Sequence, residues 1–229
     1  MKRIITSLLT ALVLFVPHYA LAQADDEPEM IPGPDRANGE GEGPFERLII
    51  RGANLIDGTG APPMGPVDIV IEDNVIVDIE SVGYPGLAID EEKRPTDATR
   101  EIDAAGAYVM PGIIDMHTHT GGATKAREAE YTYKLWMGNG ITTVRGVPSG
   151  SFEFSVDEKI RSANNEIAAP RMFVYQRMGS GAEYEDRKIL TPDEAREWVR
   201  YAKEKGADGL KLGAHRPQIM EALIDAILW

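Results

Sequence analysis

Pro111-Gly112-Ile113-Ile114-Asp115-Met116-His117-Thr118-His119 is an apolar run that closes on two histidines one residue apart. In a β-strand alternate side chains share a face, so His117 and His119 point the same way, with Asp115 expected on that face too. Two imidazoles one pleat apart can hold a single divalent ion at Zn–N distances of about 2.0–2.1 Å. A lone His-x-His is a weak signal, because a hydrogen-bonded histidine pair explains it as well. Set in this nine-residue context after a β-rich stretch, the pair reads as metal ligands. Asp115 reads as a carboxylate that supports a ligand histidine by hydrogen bonding.

From this strand onward the pattern is strand, helix, strand, helix. A helix is predicted over 124–139, closed by Asn139-Gly140, and a second strand at Ile141-Thr142-Thr143-Val144. Ser155 with Glu158 three residues on reads as a capping box opening the second helix. Met172-Phe173-Val174-Tyr175 is the third strand. Thr191-Pro192-Asp193-Glu194 is another capping box, with proline at the first helical position. It opens a helix whose apolar face is Ala195, Trp198, Val199 and Ala202. Gly209-Leu210-Lys211-Leu212-Gly213 is the fourth strand, and 217–228 the fourth helix. Four βα units imply parallel strands with right-handed crossovers, in either half of a (β/α)₈ TIM-like barrel or a small doubly wound sheet. A complete barrel takes roughly 250 residues. Residues 107–229 amount to half of that.

Upstream, residues 47–106 hold short strand-like runs and turns with no helical periodicity, and read as a small β-rich module. Within it Val67 to Glu72 and Val75 to Ile79 flank Asp73-Asn74, a pair suited to a tight hairpin. Residues 23–46 carry eight acidic residues against Arg36 alone, among dense Pro and Gly, and read as a flexible, disordered acidic leader. Residues 1–22 have Lys2 and Arg3, then an apolar run, then Ala20-Leu21-Ala22, which is the form of a cleaved export signal. The expected location is therefore secreted or periplasmic, with no membrane association after cleavage.

The whole chain has 229 residues and a formal charge of −13, and removal of the export signal, residues 1–22, leaves 22 basic against 37 acidic residues, net −15. Such a surface repels phosphate backbones, so nucleic acid is excluded as a partner class. There are no cysteines, hence neither a lipid-anchoring cysteine after the signal nor a disulfide framework. The expected partner is a small-molecule substrate, with a homo-oligomer left open. Ser149 and Ser151 have no adjacent His or Asp pattern that would make a serine nucleophile.

Lys211 stands between leucines and glycines on the fourth strand, where a free ammonium is costly to bury. Burial favours the neutral amine, which can add carbon dioxide to give a carbamate. The competing reading is a lysine that snorkels out of the strand end. His215, in the following loop, reads as an ordinary loop histidine, or as a substrate contact if the chain stays extended. His18 falls in the leader.

The span from Leu48 to about Ala226 resembles the amidohydrolase superfamily, in its imidazolonepropionase-like and Xaa-Pro dipeptidase-like branch. Ile50-Arg51-Gly52-Ala53-Asn54-Leu55-Ile56-Asp57-Gly58 and the His-x-His segment carry the resemblance, together with Asn139-Gly140-Ile141-Thr142-Thr143-Val144-Arg145 and Gly206-Ala207-Asp208-Gly209-Leu210-Lys211. Arg145-Gly146 departs from the family's usual Arg-Asp. The resemblance implies a divalent metal centre, zinc above all, of one or two ions, with His117 and His119 on the more buried ion and a carbamylated Lys211 as bridge. It implies hydrolysis of a carbon–nitrogen bond in an amide, lactam, imide or dipeptide by metal-activated hydroxide. In the family two further histidines and a proton-shuttling aspartate come from the fifth, sixth and eighth strands. Those positions lie past Trp229, so the 229 residues are expected to be an incomplete, inactive fragment that also lacks some strands of its β module. The alternatives are a non-catalytic exported fragment that binds metal weakly and a small doubly wound binding protein.

Overall fold

In the computed structural model, the residues described are 30–41, 43–119, 127–146 and 151–227. The export signal, Ser149 and residues 124–126 of the first predicted helix lie outside them.

The small module is a five-stranded sheet in the order β3-β2-β1-β4, with β5 also on β1. Its strands are β1 (Arg47–Leu55), β2 (Met64–Glu72), β3 (Val75–Ser81), β4 (Arg100–Asp103) and β5 (Tyr108–Val109). The predicted hairpin is present: β2 and β3 pair antiparallel across Asp73-Asn74, and Asp73 takes the left-handed φ of 52° that such a turn demands. Tyr108 and Val109 pair with Asn54 and Leu55, so the module runs a few residues past the expected limit at 106. Ala53, Val67 and Ile69, each nearly fully buried, form its apolar centre.

Asp68 has no exposed surface and is enclosed by cations. Its carboxylate accepts from Arg51 Nη1 at 2.9 Å, Arg94 Nε at 3.0 Å and the Gly52 amide at 2.8 Å. Burial alone would raise its pKa. Hydrogen bonds from Arg94, Arg51 and Gly52 outweigh that and hold it below the usual aspartate range.

The second region is a parallel sheet in the order β6-β7-β8-β9. Its elements alternate as the sequence requires: β6 (Ile113–Thr118), α1 (Ala129–Gly138), β7 (Ile141–Gly146), α2 (Phe152–Ala163), β8 (Arg171–Arg177), α3 (Pro192–Glu204), β9 (Gly209–Lys211) and α4 (Pro217–Ile227). Strand order follows chain order without reversal. A doubly wound sheet reverses at its switch point; this one curls as part of a barrel wall. Met172, Val174 and Gln176 of β8 are buried beneath the helices, while Arg171, Phe173 and Arg177 are exposed on the concave side. Trp198, with no exposed surface, anchors α3, and Ala195, Val199 and Ala202 complete the predicted face. Thr191 caps that helix reciprocally with Glu194, as read from the sequence.

Two expectations need correction. The second helix starts at Phe152, capped by Ser151, whose hydroxyl accepts from the Phe154 amide at 3.1 Å. Ser155 and Glu158 are buried inside it and form no capping box. The acidic segment is not a solvated leader throughout: Met30 is buried with Tyr133, Val144 and Ile167, and Asp35 bridges to Ile167. Buried Met30, the backbone hydrogen bonds of Ile31 and the close-packing Gly33 outweigh the acidic composition of their neighbourhood. Among the described residues no helix is long and apolar enough to cross a membrane.

Asp68→Asn would remove the buried carboxylate that Arg51 and Arg94 share, leaving them to their more exposed partners Glu101 and Glu91. The expected loss is about 3 kcal/mol in denaturant unfolding at neutral pH, the scale for breaking a buried ion pair. Because the folded pKa of Asp68 is depressed, its contribution is present above the unfolded aspartate value of about 3.9 and declines as pH falls through the lower folded value. The gap between parent and variant should therefore narrow in strong acid.

Candidate metal-binding site at the strand ends

β6 and β9 are the outer strands of the four. In a flat sheet, three steps of about 4.8 Å would separate them by roughly 14 Å. Here Lys211 Nζ lies 3.1 Å from His117 Nε2, so the sheet is curled and both side chains reach across its hollow. His119 Nε2 lies 3.3 Å from the same His117 nitrogen, with ring centroids 5.4 Å apart. The two imidazoles present their Nε2 atoms to one another, and the amine joins them. All three lie at the C-terminal ends of parallel strands, the face on which barrels place their chemistry.

Two nitrogens bound at 2.0–2.1 Å to one tetrahedral ion sit about 3.3 Å apart. The His117–His119 spacing matches that edge, and neutral imidazole is a good donor to a borderline-soft divalent ion. Among the described residues no group of three or more His, Cys, Asp or Glu side chains gathers into a complete cage. Two imidazoles at this spacing fit two positions of a divalent ion, and Lys211 could add to them only as a neutral amine or a carbamate.

Asp115 meets the expectation of a hydrogen bond to His117 but not that of a shared strand face. It pairs with Val144, a residue buried against the helices, and a register shift intervenes before Thr118 pairs with Gly146. Paired residues in a sheet stand on one face, so Asp115 is not placed beside His117 by simple alternation. Its carboxylate instead accepts from the His117 backbone amide at 3.0 Å, steadying the strand and not the ring. Lys211 is only half-buried, and β9 stops there instead of running to Gly213. His215 therefore does not continue the strand face; its Nε2 lies against Gly213.

Two residues not singled out for the site line the same hollow of about 120 Å³, Arg145 and Tyr175. The Arg145 guanidinium stacks 4.0 Å from the Tyr175 ring centroid. Tyr175 in turn lies over Gly209, where a Cβ would come within 2.3 Å of its ring. Glycine there is what admits the aromatic floor between the histidines and Lys211. The sequence signal was available in the strand parity of Tyr175, two residues past exposed Phe173.

No family model matches the chain. An imidazolonepropionase of Salinispora arenicola is 30% identical over 173 residues, which are 73% of this chain and 41% of that protein. A crystal structure of a Xaa-Pro dipeptidase superposes with a TM-score of 0.60 at 23% identity, covering 80% of this chain and 54% of the other. Over these residues the chain is related to the amidohydrolase superfamily. A further amidohydrolase relative is the 5-methylthioadenosine/S-adenosylhomocysteine deaminase of Haloquadratum walsbyi, 28% identical over 54% of this chain and 29% of its own length. These relatives are hydrolases acting on carbon–nitrogen bonds. The chain spans about half the length, or less, of the amidohydrolases it matches.

Isothermal titration with zinc gives a direct check. His117→Ala and His119→Ala should each weaken uptake by at least 100-fold, whereas His215→Ala should change it by less than about twofold.

Proposed function

We propose that this chain carries part of the active centre of an exported, divalent-metal-dependent hydrolase that cleaves a carbon–nitrogen bond in a small molecule. The observation that supports this reading is that His119 Nε2, at 3.3 Å, and Lys211 Nζ, at 3.1 Å, both meet His117 Nε2 at the strand ends. His117 and His119 would hold the ion through their ring nitrogens. Bound there, a divalent ion, zinc by preference, supplies Lewis acidity that lowers the pKa of water and polarises a carbonyl.

The chain's own residues would set the rest. Lys211, once its ammonium has given up a proton, would add carbon dioxide at Nζ: the N–C bond forms as one C=O π bond opens, a second proton leaves the nitrogen to solvent, and an anionic oxygen donor replaces the neutral amine. Asp115 keeps the His117 main chain fixed while that ring is engaged. Arg145, held over Tyr175, puts a positive group in the hollow that suits an anionic or carbonyl-bearing substrate. The substrate class is an amide, lactam, imide or dipeptide. Turnover belongs to the whole protein, and the relatives' greater length favours a second reading in which residues 1–229 alone bind an ion without catalysis.

Carbon-13 NMR after incubation with labelled bicarbonate should show a carbamate resonance that Lys211→Ala abolishes. In a panel of dipeptides and cyclic amides, hydrolysis should depend on zinc and disappear with chelator. Lys211→Ala should lower it by at least 100-fold, with partial rescue by a short carboxylic acid. Zinc uptake without turnover selects the second reading. Failure of His117→Ala to affect uptake sinks both.

A further inference from the structure

The helix that follows the His-x-His strand has no cap of its own. Glu128, at the N-cap of α1, makes no side-chain hydrogen bond to the helix. The Ala129 amide donates instead to the Ile31 carbonyl at 3.0 Å, while the Ile31 amide donates to the Arg127 carbonyl at 2.8 Å. A residue about a hundred positions upstream thus does the work of a cap.

The segment bearing Ile31 is fastened further along. The Gly33 amide donates to Glu158 Oε2 at 2.9 Å, inside α2, and the Gly33 carbonyl accepts from Arg161 Nη2 at 2.7 Å. Arg161 also reaches Asp35 Oδ1 at 2.8 Å, and the Arg36 amide donates to the Glu166 carbonyl at 2.8 Å. Glu158 is 1% exposed and Tyr133 lies beside it, its hydroxyl pKa raised by burial and by that carboxylate. A Cβ on Gly33 would meet Glu158 Oε2 at 3.3 Å and Tyr133 Cε2 at 3.4 Å, so the approach is close enough to disfavour a side chain.

We propose that residues 30–36 are a positioning arm for the metal-binding strand end. Ile31 caps α1 from outside, Gly33 locks the arm to Glu158 and Arg161, and Tyr133 of α1 and Glu158 line one cavity with Thr118 of β6, the residue between His117 and His119, which carries the arm's hold to that strand end. The effect on metal rests on the reading of the preceding subsection; the capping does not.

Gly33→Val in the full chain tests this, against Val67→Ala, a core change in the small module that lowers thermal stability without touching the arm. Two quantities are read: amide hydrogen exchange at Ala129, and affinity for cobalt(II) followed by its visible absorption. Gly33→Val should speed exchange at Ala129 at least tenfold and weaken cobalt binding about tenfold, while Val67→Ala moves neither. Glu158→Gln, nearly isosteric, should shift both in the same direction by about threefold, and serves if Gly33→Val does not fold. Unchanged exchange at Ala129 in the arm variants overturns the proposal, as does equal loss of cobalt affinity in Val67→Ala. A parent chain that takes up no cobalt overturns the metal reading alone, and exchange at Ala129 then decides the arm.

Discussion

Curvature of one short parallel sheet is the constraint on which the candidate site depends. His117 and Lys211 are borne by strands that three pairings separate, and no side chain pair of this length spans a flat sheet of that width with nitrogens 3.1 Å apart. The curl has a visible physical basis. On the outer side, Met172, Val174 and Gln176 are packed beneath α2 and α3, while the inner side carries Arg145 on Tyr175 and a bare Gly209. The missing Cβ at Gly209 gives the Tyr175 ring room on the inner side, where the strand ends lean together over it.

The helical layer stabilises that curl and the small module stands on a different kind of interaction. α3 is held by a fully buried Trp198, an apolar tertiary contact, and by a reciprocal cap, a local polar one. The small sheet centres on Asp68, a buried anion satisfied by two arginines and one amide. Such a cluster contributes little net stability when intact and costs much when broken, so it acts mainly to specify how the loop bearing Arg94 meets β1 and β2.

Much of this was legible from residues alone, wherever one local rule dominated. Thr191 with Glu194 named a helix start, Asp73-Asn74 a hairpin, and His117 with His119 a shared face. The misreadings came where a tertiary contact overrode a local rule. Ser155 and Glu158 have capping-box spacing, yet Ser151 lies four residues earlier and Glu158 is claimed by Gly33 and Arg161. Alternation put Asp115 beside His117, but a register shift against β7 breaks the count. Composition marked residues 23–46 as solvated, whereas Met30 and Gly33 are placed by partners more than ninety positions away, which composition cannot see.

The donors differ in how firmly they are held. His117 and His119 ride on a single strand end, so the interval between them is set by one stretch of backbone. Lys211 ends a three-residue strand joined to its neighbour through Gly209, Leu210 and Lys211 alone, and reaches inward on a long aliphatic stem. The interval between the imidazoles is therefore stiff, while the amine can shift against them as its short strand and long stem move.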